Sequence, residues 1–390
     1  MRNIFKFASL LSAAVMLFAC ERIPSGNEGN EDNGLNGGNG GETKELRIVC
    51  DRDVIQANGE DASTLRVMLG DEDVTSQSEI FDEAENLLSL VDGKFTATEV
   101  GEYRFYANYG TLTTFNKAAD DKGLLLIKAI NLPVPAVVED PDSSNLSFVH
   151  RAFLTQYTGT GCGYCPYMIY QLRQLMNDQD KTIPNKAVLA AAHSGYNQAD
   201  PAAINAPQAP GGSYPFLQVD LVNGYTHNTG INTLYALINN SVASPAAAGI
   251  SVSPKCYESE GTLVVKVAVK AAVSGVFNVG AWLLEDDIYG QQTDYDNVGD
   301  ASYDTHENCV RIADSSYKGT FFGHLLGELS AGEVAEKTFV MNLKSKWKVE
   351  NMHLAVFVSQ GVQQGSRISY SVCNAVDVPI DSPSPFEYVK

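Results

Sequence analysis

From Lys44 onwards the chain is written in short apolar bursts set between polar turns. "ELRIVCD", "STLRVML" and "GEYRFYANYG" alternate or run apolar over strand lengths, with turn signals at Ala57-Asn58-Gly59 and Val91-Asp92-Gly93 between them. This pattern predicts a β-sandwich over residues 44–133. Residues 134–147, "VPAVVEDPDSSNLS", are rich in Pro and Asp and read as a linker. The period then changes. "FVHRAFLTQYTG" reads as a strand, and "CPYMIYQLRQLMND" as a helix with Met168, Ile169, Leu172, Leu175 and Met176 on one face. "AVLAAAHSG" is an apolar run of strand length, "YPFLQVDLVNG" a further strand with its turn, and "INTLYALINNSVA" a second amphipathic helix. That order predicts a central α/β domain over 148–246. From 247 to 390 the period of two returns in "GTLVVKVAVKAAV", "FNVGAWLLED", "EKTFVMNL", "HLAVFVSQG" and "YSVCNAVDV", which predicts a C-terminal all-β sandwich. The fold expected is therefore multidomain: β-sandwich, α/β domain, β-sandwich.

The first 43 residues do not read as part of a core. "MRNIFKF" carries Arg2 and Lys6, and "ASLLSAAVMLFA" is an apolar run too short to span a bilayer. It ends in "LFAC", the pattern of a bacterial lipoprotein signal, so residues 1–19 are expected to be removed and Cys20 lipidated. An ordinary secretory signal is the alternative. On either reading the protein leaves the cytoplasm for a compartment that permits disulfides. Residues 20–43 are nearly all Gly, Asn, Glu, Ser and Thr after the cysteine. Such a segment buries too little apolar surface to offset its chain entropy, and as a tether it would span about 25 Å. The formal charge of -20 leaves nothing to neutralise a run of phosphates, so a nucleic-acid partner is excluded.

Seven cysteines occur, and two of them stand in "GTGCGYCPY" as Cys162 and Cys165. Zinc would need a second close pair of ligands, and His150 and His193 do not supply one. A structural disulfide across so small a loop would restrict the unfolded chain little. The redox reading has a mechanism. The pair lies where a strand ends and a helix begins, and a helix N-terminus favours a thiolate. Cys162 would attack and Cys165, one turn deeper, would resolve the mixed disulfide. Gly163 leaves room for a partner chain, Tyr164 flanks it, and Pro166 is tolerated in the first helical turn. No metal or cofactor is called for.

Three resemblances sharpen these readings. "DVIQANGEDASTLRVMLGDEDVTSQSEIF" and "FTATEVGEYRFYA" resemble bacterial immunoglobulin-like modules, with Tyr103 at the place of a tyrosine corner. Strand, "TGTGCGYCP", helix, strand and "SYPF" resemble a thioredoxin fold. That resemblance implies a cis-proline facing the cysteines, at Pro215, with Tyr214 as the exposed contact beside it and 195–213 as an insertion. The signal, "YTGTGCGYCP" and "YDTHENCVRIA" together are similar to the twenty-eight-kilodalton outer membrane protein family of Bacteroidetes over about 148–380. His306, Val310 and Arg311 match its second phrase, and Cys309 departs from it. This implies an outer membrane lipoprotein, periplasmic or surface-exposed.

Other chemistry-bearing residues have plainer readings. His193 ends a strand and is expected to bond a neighbouring carbonyl rather than shuttle protons. His306 and Arg311 are expected to be structural. The pairing of Cys50, Cys256, Cys309 and Cys373 is not legible. "EDDIYGQQTDYDNVGD" lacks the ligand spacing of a calcium loop and reads as a solvated loop. Two functions stay open: a thiol–disulfide oxidoreductase acting on envelope proteins, or a non-enzymatic surface lipoprotein that binds a protein or glycan through its β modules.

Overall fold

The computed structural model describes residues 44–390 apart from 118–121, 178–182, 196–198, 206, 315–321 and 365–366. The signal segment, the tether and Cys20 lie outside the described residues.

The N-terminal module is built from β1 (Leu46–Cys50), β2 (Val54–Gln56), β3 (Ala62–Leu69), β4 (Glu72–Asp73), β5 (Glu79–Asp82), β6 (Lys94–Thr96), β7 (Gly101–Tyr109), β8 (Leu112–Thr113) and β9 (Leu125–Ile130). One sheet has the order β1-β3-β4 with β6 on β3; the other runs β2-β9-β7-β5 with β8 on β7. The alternation of β3 explains the packing. Leu65 and Val67 point inward against Cys50, Phe105 and Ile127, while Thr64 and Arg66 point out. The Tyr103 hydroxyl donates to the Glu99 carbonyl at 2.9 Å, the bond that closes a tyrosine corner.

The remainder begins with β10 (Ala152–Thr158), α1 (Cys165–Met176), β11 (Ala187–His193), β12 (Phe216–Val219), β13 (Asn223–Tyr225) and α2 (Ile231–Ser241). It continues with β14 (Ala248–Tyr257), β15 (Thr262–Ala271), β16 (Gly275–Glu285), β17 (Ile288–Tyr289), β18 (Thr305–His306) and β19 (Cys309–Ala313). The chain ends in β20 (His324–Leu329), β21 (Val334–Asn342), β22 (Met352–Gln364) and β23 (Arg367–Pro379).

Here the expected fold class is overturned. A central α/β thioredoxin-like domain does not form. The chain is nearly all β, with two α-helices among the described residues. The strands from 152–225 belong to one nine-stranded sheet of order β13-β12-β10-β11-β19-β16-β22-β23, with β20 on β16. The physical reason is an open edge. β11 pairs parallel with β10 on one side, and its other side is taken by β19 through Ala191 and Cys309. Unpaired backbone groups on that edge are satisfied by the later β segment, so no boundary separates the two regions.

The long sheet carries three apolar surfaces. β14, β15 and β21 form a three-stranded sheet that packs on β16, β22 and β23 through Val265, Val267, Phe277, Val279, Leu354 and Val356. Helices α1 and α2 cover β10–β12 through Met168, Leu172, Leu175, Leu234 and Ile238. On the opposite side Phe153 meets Trp282 edge-on at 5.1 Å and stacks on Phe357 at 4.8 Å, which welds β10 to β16 and β22. Residues 134–147 contain neither helix nor strand and are held by Lys270, a buried side chain. Its ammonium donates to Asp140 at 2.9 Å and to the Ser143 carbonyl at 2.7 Å. The N-terminal module rests on the three-stranded sheet through Val54, Ile130 and Val264 and through an Asp53–Lys337 ion pair. Among the described residues no helix is long and apolar enough to cross a membrane.

Candidate functional site

The site grows out of the end of β10. That strand is parallel to β11 with Thr158 opposite His193, and antiparallel to β12 with Tyr157 opposite Phe216. Pro215 directly precedes Phe216, the first residue of β12. The chain then turns sharply at Gly159, where a Cβ would stand 2.5 Å from the Ser194 carbonyl oxygen. Only glycine allows that approach. Cys162 N–H donates to Gly159 O and Cys165 N–H to Cys162 O, both at 3.0 Å, and α1 starts at Cys165 with Pro166 in its first turn.

Cys162 and Cys165 are joined as a disulfide. Cys162 sits ahead of the helix and Cys165 inside it. No side chain caps α1; its first amides, Cys165 and Tyr167, donate to Cys162 O and Tyr164 O, and Pro166 has none. Cys165 is fully buried and Cys162 is 6% exposed. Gly163 is buried and Tyr164 exposed. The Tyr214–Pro215 peptide is cis, as the sequence led us to expect. Pro215 is buried, however, and Tyr214 is not the free contact that was expected. It is half-buried against the Tyr157 cluster, and its hydroxyl donates to Gln208 Oε1 at 2.9 Å.

Packed on the main chain of the cysteine loop is the segment between β17 and β18, which sequence reasoning took for a solvated loop. Thr293 N–H donates to Thr160 O at 2.8 Å, and Tyr295 N–H to Gly163 O at 3.1 Å. The side-chain amide of Gln292 lies 3.1 Å from Cys162 O and 3.3 Å from Thr160 O. The Tyr295 ring lies against Gly163 and meets Tyr164 edge-on at 5.3 Å. Further along, Tyr167 donates to Asp296 at 3.0 Å, which pushes the Tyr167 hydroxyl pKa up. Arg173 of α1 donates to Ser302 and lies 4.2 Å over the Tyr303 ring. Three other carboxylates of this segment serve its own backbone: Asp294 accepts from Gly299 N–H, Asp304 from Gln292 N–H and Asp300 from Ser302 N–H, each at 2.8 Å. Among the described residues no three His, Cys, Asp or Glu side chains are placed to hold a metal ion.

A second sulfur lies behind the first. Asp200 Oδ2 accepts from Thr160 N–H at 2.7 Å and from His193 Nδ1 at 2.9 Å, and His193 Nε2 lies 3.6 Å from Cys309 Sγ. Burial alone would raise the Asp200 carboxyl. The hydrogen bonds from His193, Thr160 and Ala202 outweigh it and hold Asp200 below the usual carboxylate range. Burial pushes the Cys309 thiol well up, so its S–H is kept and is shared with His193 Nε2. His193 therefore bonds a carboxylate and a thiol, not the carbonyl expected. His306 stacks edge-on against His193 at 4.9 Å and donates to Gly290 O at 2.8 Å; burial and His193 lower its pKa. Arg311 pairs with Glu285 at 2.6 Å. Asp200 was missed, because it falls in the stretch read as an insertion. Cys50, Cys256, Cys309 and Cys373 are free thiols.

No family model matches the chain, and no curated protein matches it. Solved structures with some likeness include HBP35 of Porphyromonas gingivalis, a Bacteroidetes protein, at 15% identity and a TM-score of 0.47, covering 61% of this chain and 78% of that one. A domain of the RIM protein from Drosophila follows at 12% identity and a TM-score of 0.18, covering 36% and 96%. The sporulation control protein Spo0M from Bacillus subtilis has 12% identity and a TM-score of 0.20, covering 35% and 50%. At these scores the likenesses carry no conclusion about what this chain does.

Proposed function

We propose that the protein is an outer-membrane lipoprotein, anchored through Cys20, whose Cys162–Cys165 pair exchanges disulfides with other envelope proteins. The observation that carries this reading is the position of the pair: it is closed as a disulfide with Cys165 in the first turn of an uncapped helix and Cys162 just ahead of it. The amide dipoles there favour negative charge on sulfur, which makes Cys162 both a competent nucleophile and a good leaving group. In the reduced protein the Cys162 thiolate attacks one sulfur of a substrate disulfide. The other substrate sulfur leaves as a thiolate, and a mixed disulfide remains. The Cys165 thiolate then attacks Cys162 Sγ, closes the pair and releases the second substrate thiol. The substrate gains two electrons and the pair loses them, so each cycle consumes an external dithiol reductant. Insulin reduction with dithiothreitol as that reductant tests the reading. The wild-type chain should accelerate it and Cys162→Ser should not; equal rates for both would remove the proposal.

The burial of Cys162 favours a second reading, in which the pair is a staple and the protein binds a partner without chemistry. On that reading the disulfide stays closed in envelope preparations and mixed disulfides never form.

A further inference from the structure

A length of the chain's own backbone is bonded along the loop that carries the disulfide. Thr293 and Tyr295 both donate main-chain N–H groups to the cysteine loop, while Asp294 between them turns its carboxylate back to Gly299. Alternate N–H groups of the segment thus serve the turn between β10 and α1, as those of an extended chain can. The recognition elements are plain. A row of carbonyls from Gly159, Thr160, Cys162 and Gly163 accepts from the segment, and the bare face of Gly163 accepts a ring. A Cβ on Gly163 would come within 2.5 Å of two Tyr295 ring carbons. Yet the segment is not part of the core. It has no helix or strand between β17 and the short 3-10 turn Ala301–Asp304, and Tyr295 itself is 58% exposed. Its hold also has a cost. Gln292 Oε1 is buried without a hydrogen-bond partner among the described residues, a penalty that opening would relieve.

We propose that residues 292–295 stand in the groove that a substrate takes, and that this substrate is an extended polypeptide segment carrying an aromatic side chain. Segment and substrate compete for the same carbonyls and the same glycine face. The disulfide is then reachable only in the fraction of molecules whose segment has lifted. This inference rests on the exchange reading above, but it is tested separately from it.

The test measures how fast a small water-soluble phosphine opens Cys162–Cys165 in the folded chain, counted by mass after maleimide labelling. Tyr295→Ala should open about tenfold faster than wild type if the covering segment limits access. Gly163→Ala, which drives a methyl group into the ring, should also be faster. A synthetic peptide of residues 290–297 added to Tyr295→Ala should slow opening again, and the same peptide with alanine for its tyrosine should not. Unchanged phosphine rates in both variants, or equal effects of the two peptides, would overturn the inference. Faster opening and selective peptide protection without insulin reduction would keep the groove and discard the exchange. Normal insulin reduction with unchanged phosphine rates would do the reverse.

Discussion

Two sulfur sites lie close together at one end of the nine-stranded sheet, and they are built on opposite principles. Cys309 has the better-looking constellation, with His193 at 3.6 Å and Asp200 behind it at 2.9 Å. By residue type this is a nucleophile, a base and an orienting acid. But Cys309 is wholly buried on a strand, and burial holds its thiol protonated. Cys162 has no base within reach of its sulfur among the described hydrogen bonds. It has instead a helix N-terminus, a partner sulfur and a cover made of a surface segment. The difference teaches that environment outranks composition. A Cys–His–Asp trio in the core keeps its proton and packs, whereas the Cys162–Cys165 pair is closed as a disulfide at a helix end. The two sites are also tied, because Asp200 holds both His193 and the Thr160 amide that leads into the cysteine loop.

The largest effect should come from swapping which sulfur is lost. Cys162→Ser is expected to bring insulin reduction down to the uncatalysed rate, whereas Cys309→Ser should leave it within about twofold, since a buried protonated thiol does no exchange. Loss of activity in Cys309→Ser with normal stability would break the comparison. Next in size is the tie between the sites. Asp200→Asn leaves the His193 ring and the Thr160 amide poorly satisfied, and should lower unfolding free energy by about 1–3 kcal/mol in urea titrations. A smaller shift than in the surface variant Asp296→Asn would mean that the carboxylate anchors nothing.

The protonation of the same carboxylate gives a third, milder effect. Its folded pKa is below its unfolded value, so its contribution is complete above the unfolded pKa and is lost as pH falls through the folded one. Below about pH 4 the melting temperature of wild type should therefore fall more steeply than that of Asp200→Asn. A further pH effect, of opposite sign, lies at the entry to β19. Burial alone would lower the His353 pKa, but Asp286 and Asp377 outweigh it and lift it to about 9. Asp286 also accepts from Asn308 N–H at 2.6 Å, directly before Cys309. A raised folded pKa means stability that is complete below the unfolded value of about 6.5 and is lost as pH rises towards the folded one. Wild type should lose melting temperature across that window, and His353→Gln should not.

Much of this was legible in the chain, for local reasons. The stripe in "CPYMIYQLRQLM" marked α1, with Met168, Leu172 and Leu175 buried as the period requires. The strand before "GTGCGYCPY" and the helix after it marked the junction that holds the pair, and Tyr103 marked its corner. What was not legible is pairing at a distance. Nothing in "AVLAAAH" says that its free edge is completed by "CVRIA" more than a hundred residues later, so the α/β segment read as a domain of its own. The covering segment was misread for a related reason. Asp294 and Asp296 announce water, while the contacts to the cysteine loop are main-chain donors, the Gln292 amide and one tyrosine ring, which carry no signature in composition. Asp200 was hidden likewise, since besides Ala202 its partners are Thr160, just past β10, and His193 at the end of β11.

The central claim is that Cys162, and no other sulfur, exchanges with substrate. The most direct measurement removes the resolving thiol. Reduced Cys165→Ala protein, incubated with oxidised substrate proteins from the envelope and quenched with acid, should accumulate dithiothreitol-sensitive adducts. Peptide mapping should place every adduct on Cys162. Absence of adducts, or adducts on Cys50, Cys256, Cys309 or Cys373 instead, would contradict the account.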